Sequence, residues 1–447
     1  MDRRRGLLDP RGALLLIAIV VVAAIVVGCG EAIQGEEGLG PGQGLIDDPG
    51  GGTDDGGGGT GGTGGGGTGG GGPTGPFDRL HYSDLTYLGA FSAPNTSGFS
   101  FSVGAIAYVP TRNTLVVVAR DAAQNWHELA IPSPVISPTK SVGDIPVATD
   151  LSGWMDVMAP LYTALDPAKS IGGLTYFEGR FWVGCYEFYN VAARDNLGIV
   201  SVDENYGDPR GAWRVGPSGV NDPIKNVFHA NKTHNDVMVI PKSWSDRYTP
   251  GKRLAGGRHR GAGAFGGGRG PALYAFEADY NAPHGADLNG VPLMYFEEYG
   301  VNWPEYRKAD GYHCIWVWSP DQKRQAVIVS VTKGLGPNYY GPGPACTPDK
   351  GWHAHPYEPR FYFIDVNDLA EVANGNKLPW EIASYEMVVP PEAWRAPADG
   401  ADPNCRLSWF RDFAFDEQNS ILYATAPKAY LVQPQGNRMI IHAWKVN

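Results

Sequence analysis

Residues 104–121 read GAIAYVPTRNTLVVVARD: a small residue, an apolar strand, a turn and a second apolar strand. The strand segments are rich in β-branched and aromatic side chains, and Pro and Asn mark the turn between them. The same order recurs in GGLTYFEGRFWVGCYEF (172–188), in NDVMVIP (235–241) with the later GPALYAFEAD (270–279), in DGYHCIWVWSPDQKRQAVIVSVTKG (310–334) and in RDFAFDEQNSILYATAP (411–427). The units start near residues 104, 172, 235, 310 and 411. Such spacing predicts copies of one twisted antiparallel sheet set around an axis, an arrangement that protects strand edges. The expected fold is all-β, a five-bladed β-propeller. A six-bladed ring with a blade hidden in 131–165, or a β-sandwich pair, is the alternative. LTYLGAFSAP (85–94) and MIIHAWKVN (439–447) belong to no repeat and are expected to complete one blade together, closing the ring. One short helix is expected at DVNDLAEVANG (365–375), capped by Asp365 or Asn367 and stopped by Gly375.

The stretches GAIAYVPTRNTLVVVARD, IGGLTYFEGRFW and RLAGGRHRGAGAFGGGRGPALYAFEAD resemble uncharacterised secreted bacterial propeller-like proteins. That resemblance implies the fold and carries no activity.

The 447 residues have a formal charge of −11, unevenly spread. Residues 30–76 hold seven acids and no Lys or Arg, and the remainder beyond them is mildly acidic. A general nucleic-acid binder needs a basic face, so nucleic acid is not expected as a partner. The amino-terminal residues are Arg-rich and lead into an unbroken apolar run, Ala13–Val27. As a helix it would extend only about 22 Å, short of a hydrocarbon core of about 30 Å. It therefore reads as a secretory signal over 1–28. Its end, Val26-Val27-Gly28-Cys29, resembles the bacterial lipobox, which implies cleavage before Cys29 and lipid on its thiol and new amino terminus. The membrane then becomes a partner through that lipid, and the address is the cell envelope. Gly30 rather than an acid after the cysteine favours the outer membrane or the cell surface. Residues 29–76, with GGGGTGGTGGGGTGGGGPTG at 56–75, cannot bury enough surface to order and are expected to be a tether. A chain of this kind spans about 35–40 Å, so the domain from 77 to 447 stands off the bilayer.

Four cysteines remain after Cys29, which suggests two disulfides in an exported protein, with three connectivities open. Cys346 and Cys405, both in loop-like sequence, are the preferred pair; Cys314, inside an apolar strand, reads as a buried free thiol.

Ligands of propellers meet the loops at one mouth, so the starts of the inner strands matter most. They supply His234 and Asp236, Asp310 and His313, and Arg411 and Asp412, while the first two units offer mainly glycine. Two readings follow. Asp236, Asp310 and Asp412 could serve as acid and base in glycoside cleavage or lysis of a polysaccharide, an inference from fold analogy. Alternatively, they hydrogen-bond neighbouring backbone and fix the blade starts. For ligand binding the candidates are His234, His313 and Arg411 together with loop-flanked Trp303 and Trp352, whose rings can stack on sugar faces. Trp394 is a third loop-flanked ring, whereas Trp182, Trp316 and Trp318 fit blade cores. His353 and His355, with Glu358, His229 or His234, offer a weak metal pattern that reads more readily as packing. Arg258, Arg260 and Arg269 in the basic glycine loop read as a solvated segment; its GxGxxG lacks the strand and helix a dinucleotide needs. Neither cofactor nor metal is expected. The leading expectation is a lipid-anchored envelope propeller binding an extracellular ligand such as a glycan, or a protein partner. A carboxylate glycosidase or lyase and a structural envelope component are the alternatives.

Overall fold

The computed structural model describes residues 76–447 except 96–97, 100–101, 103, 120–123, 166–169, 187–196, 217–235, 258–269, 297–305, 307, 341–351, 355, 395–409 and 433–435. These residues build a five-bladed β-propeller. Blade I contains Ile106–Val109, Thr114–Val118 and Trp126–Ala130. Blade II contains Ser170–Phe177, Arg180–Tyr186, Ile199–Asp203 and Arg210–Val215. Blade III contains Asp236–Val239, Leu254–Gly257, Leu273–Phe276 and Gly290–Met294. Blade IV contains Ala309–Trp318, Arg324–Gly334, Tyr357–Ile364 and Ser384–Val388. Blade V contains Phe413–Asp416, Ile421–Val432 and Gly436–Val446, with Leu85–Ser92 as its outermost strand. The first strand of each blade is innermost, and these five strands neighbour one another around the axis.

The expected closure is present. Leu85–Ser92 runs antiparallel to the carboxy-terminal strand, from Leu85 opposite Val446 to Ser92 opposite Ile440, so the two ends of the domain share one sheet. The 131–165 stretch forms no sixth blade. Val135 and Val147 bridge to Ala90 and Ser92, while Asp150 and Met155 bridge to Leu129 and Trp126 along the edge of blade I.

The apolar runs that made the repeat visible are unbroken because both faces of an inner blade are buried. In blade I, Ile106, Tyr108, Leu115 and Val117 pack toward Phe91, Tyr423 and Ile441 of blade V. The alternate residues, Ala107, Val109, Val116 and Val118, pack toward Leu174, Phe181 and Val183 of blade II. This is the period of two of a strand, used once for each neighbour. Blade II repeats the arrangement, with Trp182 and Trp213 against Leu254 and Tyr274 of blade III. Its first hairpin turns on Glu178 and Gly179, whose φ values of 50° and 78° are those of the tight turn that suits strand twist.

The expected helix spans Val366–Ala373, with the Asp365 side chain accepting from Asn367 N and Gly375 just past its end at φ 77°. Its Asn367 also grips the start of the domain. The amide accepts from Phe77 N (3.0 Å) and donates to Phe77 O (2.7 Å). Asp78 and Arg79 then pair in parallel with Arg324 and Gln325 of blade IV, and Arg79 Nε reaches Asp365 Oδ2 at 2.7 Å. Among the described residues no helix is long and apolar enough to cross a membrane.

Cys185 and Cys314 are both free and buried, so the expectation of two disulfides is not met. Cys314 is thus the buried free thiol expected of it, while Cys185 packs in apolar core, where burial pushes its thiol up to about 12. Cys346 and Cys405, like Cys29, lie outside the described residues.

Candidate functional site

Three of the residues singled out at the inner-strand starts meet on the axis. Asp236 opens the inner strand of blade III opposite Gly257, and Asp412 immediately precedes that of blade V. His313 is brought inward by an irregularity in the blade IV hairpin, where the register shifts between Asp310 and His313. Their side chains are 0%, 1% and 2% exposed for Asp236, His313 and Asp412 in turn. One donor atom from each lies within 4.8 Å of the others.

Both carboxylates are committed to backbone. Asp412 Oδ2 accepts from Ile106 N of blade I (3.1 Å) and Leu174 N of blade II (3.3 Å). Its Oδ1 accepts from Phe413 N of its own blade (2.9 Å). Asp236 Oδ2 accepts from Cys314 N of blade IV (2.7 Å), and its Oδ1 lies 3.0 Å from His313 Nδ1. Two side chains thus fasten all five inner strands. The seam between blades V and I is tied again by Thr425, whose Oγ1 donates to Gly104 O (2.6 Å) and accepts from Asp412 N (3.3 Å). Gly104 has φ 90°, and a Cβ there would fall 2.5 Å from Arg411 Cβ. The glycine at this unit start is therefore required by close approach, and it does not leave an open space.

Burial, with the Asp236 charge beside it, drives the Asp412 carboxyl well above the ordinary range, against the pull of its three backbone donors. The Cys314 thiol is raised well above its usual value by burial and by the same two carboxylates. Two oxygens and an imidazole could in donor chemistry suit a divalent cation. Four backbone N–H dipoles, however, already point their positive ends at these carboxylates, and a cation would have to oppose them. The donor set matches its own backbone better than a metal.

The separation alone would pass for a glycosidase pair, which in retaining enzymes is about 5–5.5 Å. Burial decides against that use of Asp236 and Asp412. Further along the same five strands the bore holds a cavity of only about 30 Å³, lined among others by Ala107, Thr175, Val239, Trp316 and Glu417. That is room for about one water, far below the roughly 300–1,000 Å³ of a small-molecule site. Burial raises the Glu417 carboxyl as well.

The other candidates divide. Arg411 stands at the V–I seam, its N–H donating to Thr425 O (2.7 Å) and its carbonyl accepting from Ser330 Oγ (3.1 Å). Asp310 is in the blade IV inner strand and Trp352 in a two-residue strand paired with Tyr340, but the side chains of both lie outside the described residues, as does that of His353. His229, His234, Arg258, Arg260, Arg269, Trp303 and His355 also lie outside them. Trp182, Trp316 and Trp318 are core residues, as expected. Trp394 is buried too, edge-on to His442 at 6.1 Å, and so does not offer the exposed ring its loop-flanked sequence promised.

Fold and site together define a five-bladed propeller whose axis is clamped by buried carboxylates. No family model matches the chain, and no curated protein matches it. Among solved structures it is similar to the PQQ-bound aldose sugar dehydrogenase from Streptomyces coelicolor, at 12% identity and TM-score 0.34 over 83% of this chain and 100% of that one. It is similar to the GH43 endo-arabinanase from Bacillus licheniformis at 11% identity and TM-score 0.36, over 78% and 95% of the two chains. It is also similar to a β-fructofuranosidase from Schwanniomyces occidentalis at 9% identity and TM-score 0.39, over 81% and 60%. Likeness this distant says nothing of activity.

Proposed function

We propose that the chain is a lipid-anchored propeller of the bacterial cell envelope that binds an extracellular glycan without transforming it. The observation that carries the binding reading is the fate of Asp236 and Asp412: both acids are buried and spent on neighbouring backbone, which leaves the propeller as a rigid frame for recognition at its surface. The anchor rests on the apolar run Ala13–Val27 ending in Gly28-Cys29, and the stand-off from the bilayer on the glycine-rich residues 29–76. Outer-membrane or surface placement rests on Gly30.

The test has two arms. The mature domain is offered to a glycan array and, in parallel, to a panel of polysaccharides assayed for released reducing ends. Binding without release is expected. Release by the wild type that disappears in a folded Asp412→Asn variant would restore the enzyme reading. A silent array with a stable protein partner in pull-down would favour a structural envelope role. For the anchor, mass spectrometry of the mature amino terminus should find acylated Cys29, and Cys29→Ala should abolish processing; an intact Met1 terminus overturns it.

A further inference from the structure

At the seam of blades II and III lies a groove of about 400 Å³, lined by Leu161, Arg210, Gly211, Tyr280, Ala282 and His284 among others. Its size falls within the range of about 300–1,000 Å³ usual for small-molecule sites. One wall is the start of the outermost strand of blade II; the other is the loop that leaves the third strand of blade III and returns to pair Asp287–Leu288 with Arg214 and Val215.

Charge in this groove is out of balance. A single oxygen, Asp208 Oδ2, serves two guanidiniums: Arg210 Nε at 2.7 Å and Arg180 Nη1 at 3.1 Å. Both guanidiniums also lie over the Tyr280 ring, at 4.7 Å for Arg180 and 5.8 Å for Arg210. The nearby Arg214 has its own partner in Asp287 and lends no acid to the pair. Among the described residues one positive charge is thus left over, on an Arg210 side chain that is 43% exposed. The wall beside it is built under constraint. Asp208 and Ala212, which flank the lining residues Arg210 and Gly211, have positive φ, at 44° and 21°. Gly211 has φ 122°, and a Cβ there would strike Ile199 O at 2.8 Å. Backbone strain beside a groove is a reason to look for a ligand. His284 adds an acceptor. Its Nδ1 lies 2.8 Å from Gly211 O, which can only accept, so Nδ1 carries a proton, and in the neutral ring Nε2 is then the acceptor.

We propose that this groove binds a carboxylate-bearing sugar, a hexuronate within an oligosaccharide. Its carboxylate takes the Nη2 N–H groups of Arg210, whose Nε holds Asp208 and whose Nη1 reaches Asn281 Oδ1 at 3.4 Å, and completes the charge that Asp208 leaves unbalanced. Its ring lies along exposed Tyr280, and a hydroxyl donates to His284 Nε2. This site rests on the glycan-binding reading above and adds its location and ligand class.

The experiment is calorimetric titration of the mature domain with disaccharides of galacturonate, glucuronate and mannuronate, each beside its neutral hexose counterpart. At least one uronate is expected to bind tenfold or more tighter than its neutral twin, with affinity falling as salt rises. Arg210→Gln and Tyr280→Ala should each weaken it tenfold or more, with thermal melting within a few degrees of wild type. Equal affinity for acid and neutral sugar overturns the charge argument. Uronate binding undiminished in both variants overturns the site but leaves the glycan reading standing. If no saccharide on the array or in the titration binds, both fall.

Discussion

Asp412→Ala tests whether the axial carboxylates are clamps. The substitution removes the acceptor from three backbone N–H groups, those of Ile106, Leu174 and Phe413, in three different blades. Leaving a buried donor unpaired costs about 1–3 kcal/mol, so the gross loss is about 3–9 kcal/mol. Two effects work against it. The Asp236 charge loses a repulsive neighbour, and water entering the vacated space can satisfy part of the donors. A net destabilisation of about 3–6 kcal/mol is expected, a large share of the 5–15 kcal/mol typical of a domain. Asp412→Asn keeps one oxygen, able to hold the two inter-blade donors, but turns an amide donor toward the third; about 1–3 kcal/mol is expected. Urea denaturation followed by tryptophan fluorescence and by circular dichroism measures both. If Asp412→Ala unfolds within about 1 kcal/mol of wild type, the clamp reasoning is wrong and the buried acid awaits another explanation.

Three further outcomes follow from the same geometry. His442 is fully buried among Trp394, Phe410 and Trp444, and burial lowers its imidazole to about 3. A folded value below the unfolded 6.5 means its contribution is present above pH 6.5 and is lost as pH falls; between pH 7 and 4.5 that loss is about 2.5 kcal/mol. His442→Phe should flatten the fall in urea stability over this window by that amount, and an unchanged slope would rule the histidine out. Gly104→Ala forces a Cβ against Arg411 and Thr425 at positive φ, so a loss of about 2–4 kcal/mol is expected, read as a lowered thermal midpoint. Asn367→Ala removes both bonds to Phe77 and the local cap contact, and protection of the Phe77 amide in hydrogen exchange should vanish while blade II amides stay protected.

Much of the ring could be read from the sequence because its inner strands are buried on both faces. The five unit starts fall at or within three residues of Ile106, Ser170, Asp236, Ala309 and Phe413. The outermost strands of blades III and IV escaped notice for the opposite reason. Ser384–Val388 has no buried residue, and Gly290–Met294 is half-buried with Pro292 in its midst, so neither carries an apolar run. Asp236, His313 and Asp412 were legible as inner-strand starts. Their use as clamps depends on which backbone donors lie across the axis, up to 306 residues away in sequence, and no local pattern encodes that. The groove at Arg210 was missed because its walls come from a blade edge and a loop some 70 residues later. The even cysteine count misled by suggesting two bridges: Cys314 is the buried free thiol its apolar strand indicated, and Cys185 is another.

The grip of Asn367 on Phe77 has a mechanical consequence. A pull arriving through the glycine-rich residues meets that two-pronged amide first, then the Asp78–Arg79 pairing and the Arg79–Asp365 contact. All of these are grounded in blade IV and its helix. The strand that seals the ring, Leu85–Ser92, lies downstream of them in blade V. Under the proposed anchoring, such a load would reach these contacts before it reached the seal, much as a moored ring carries its strain relief away from its weld.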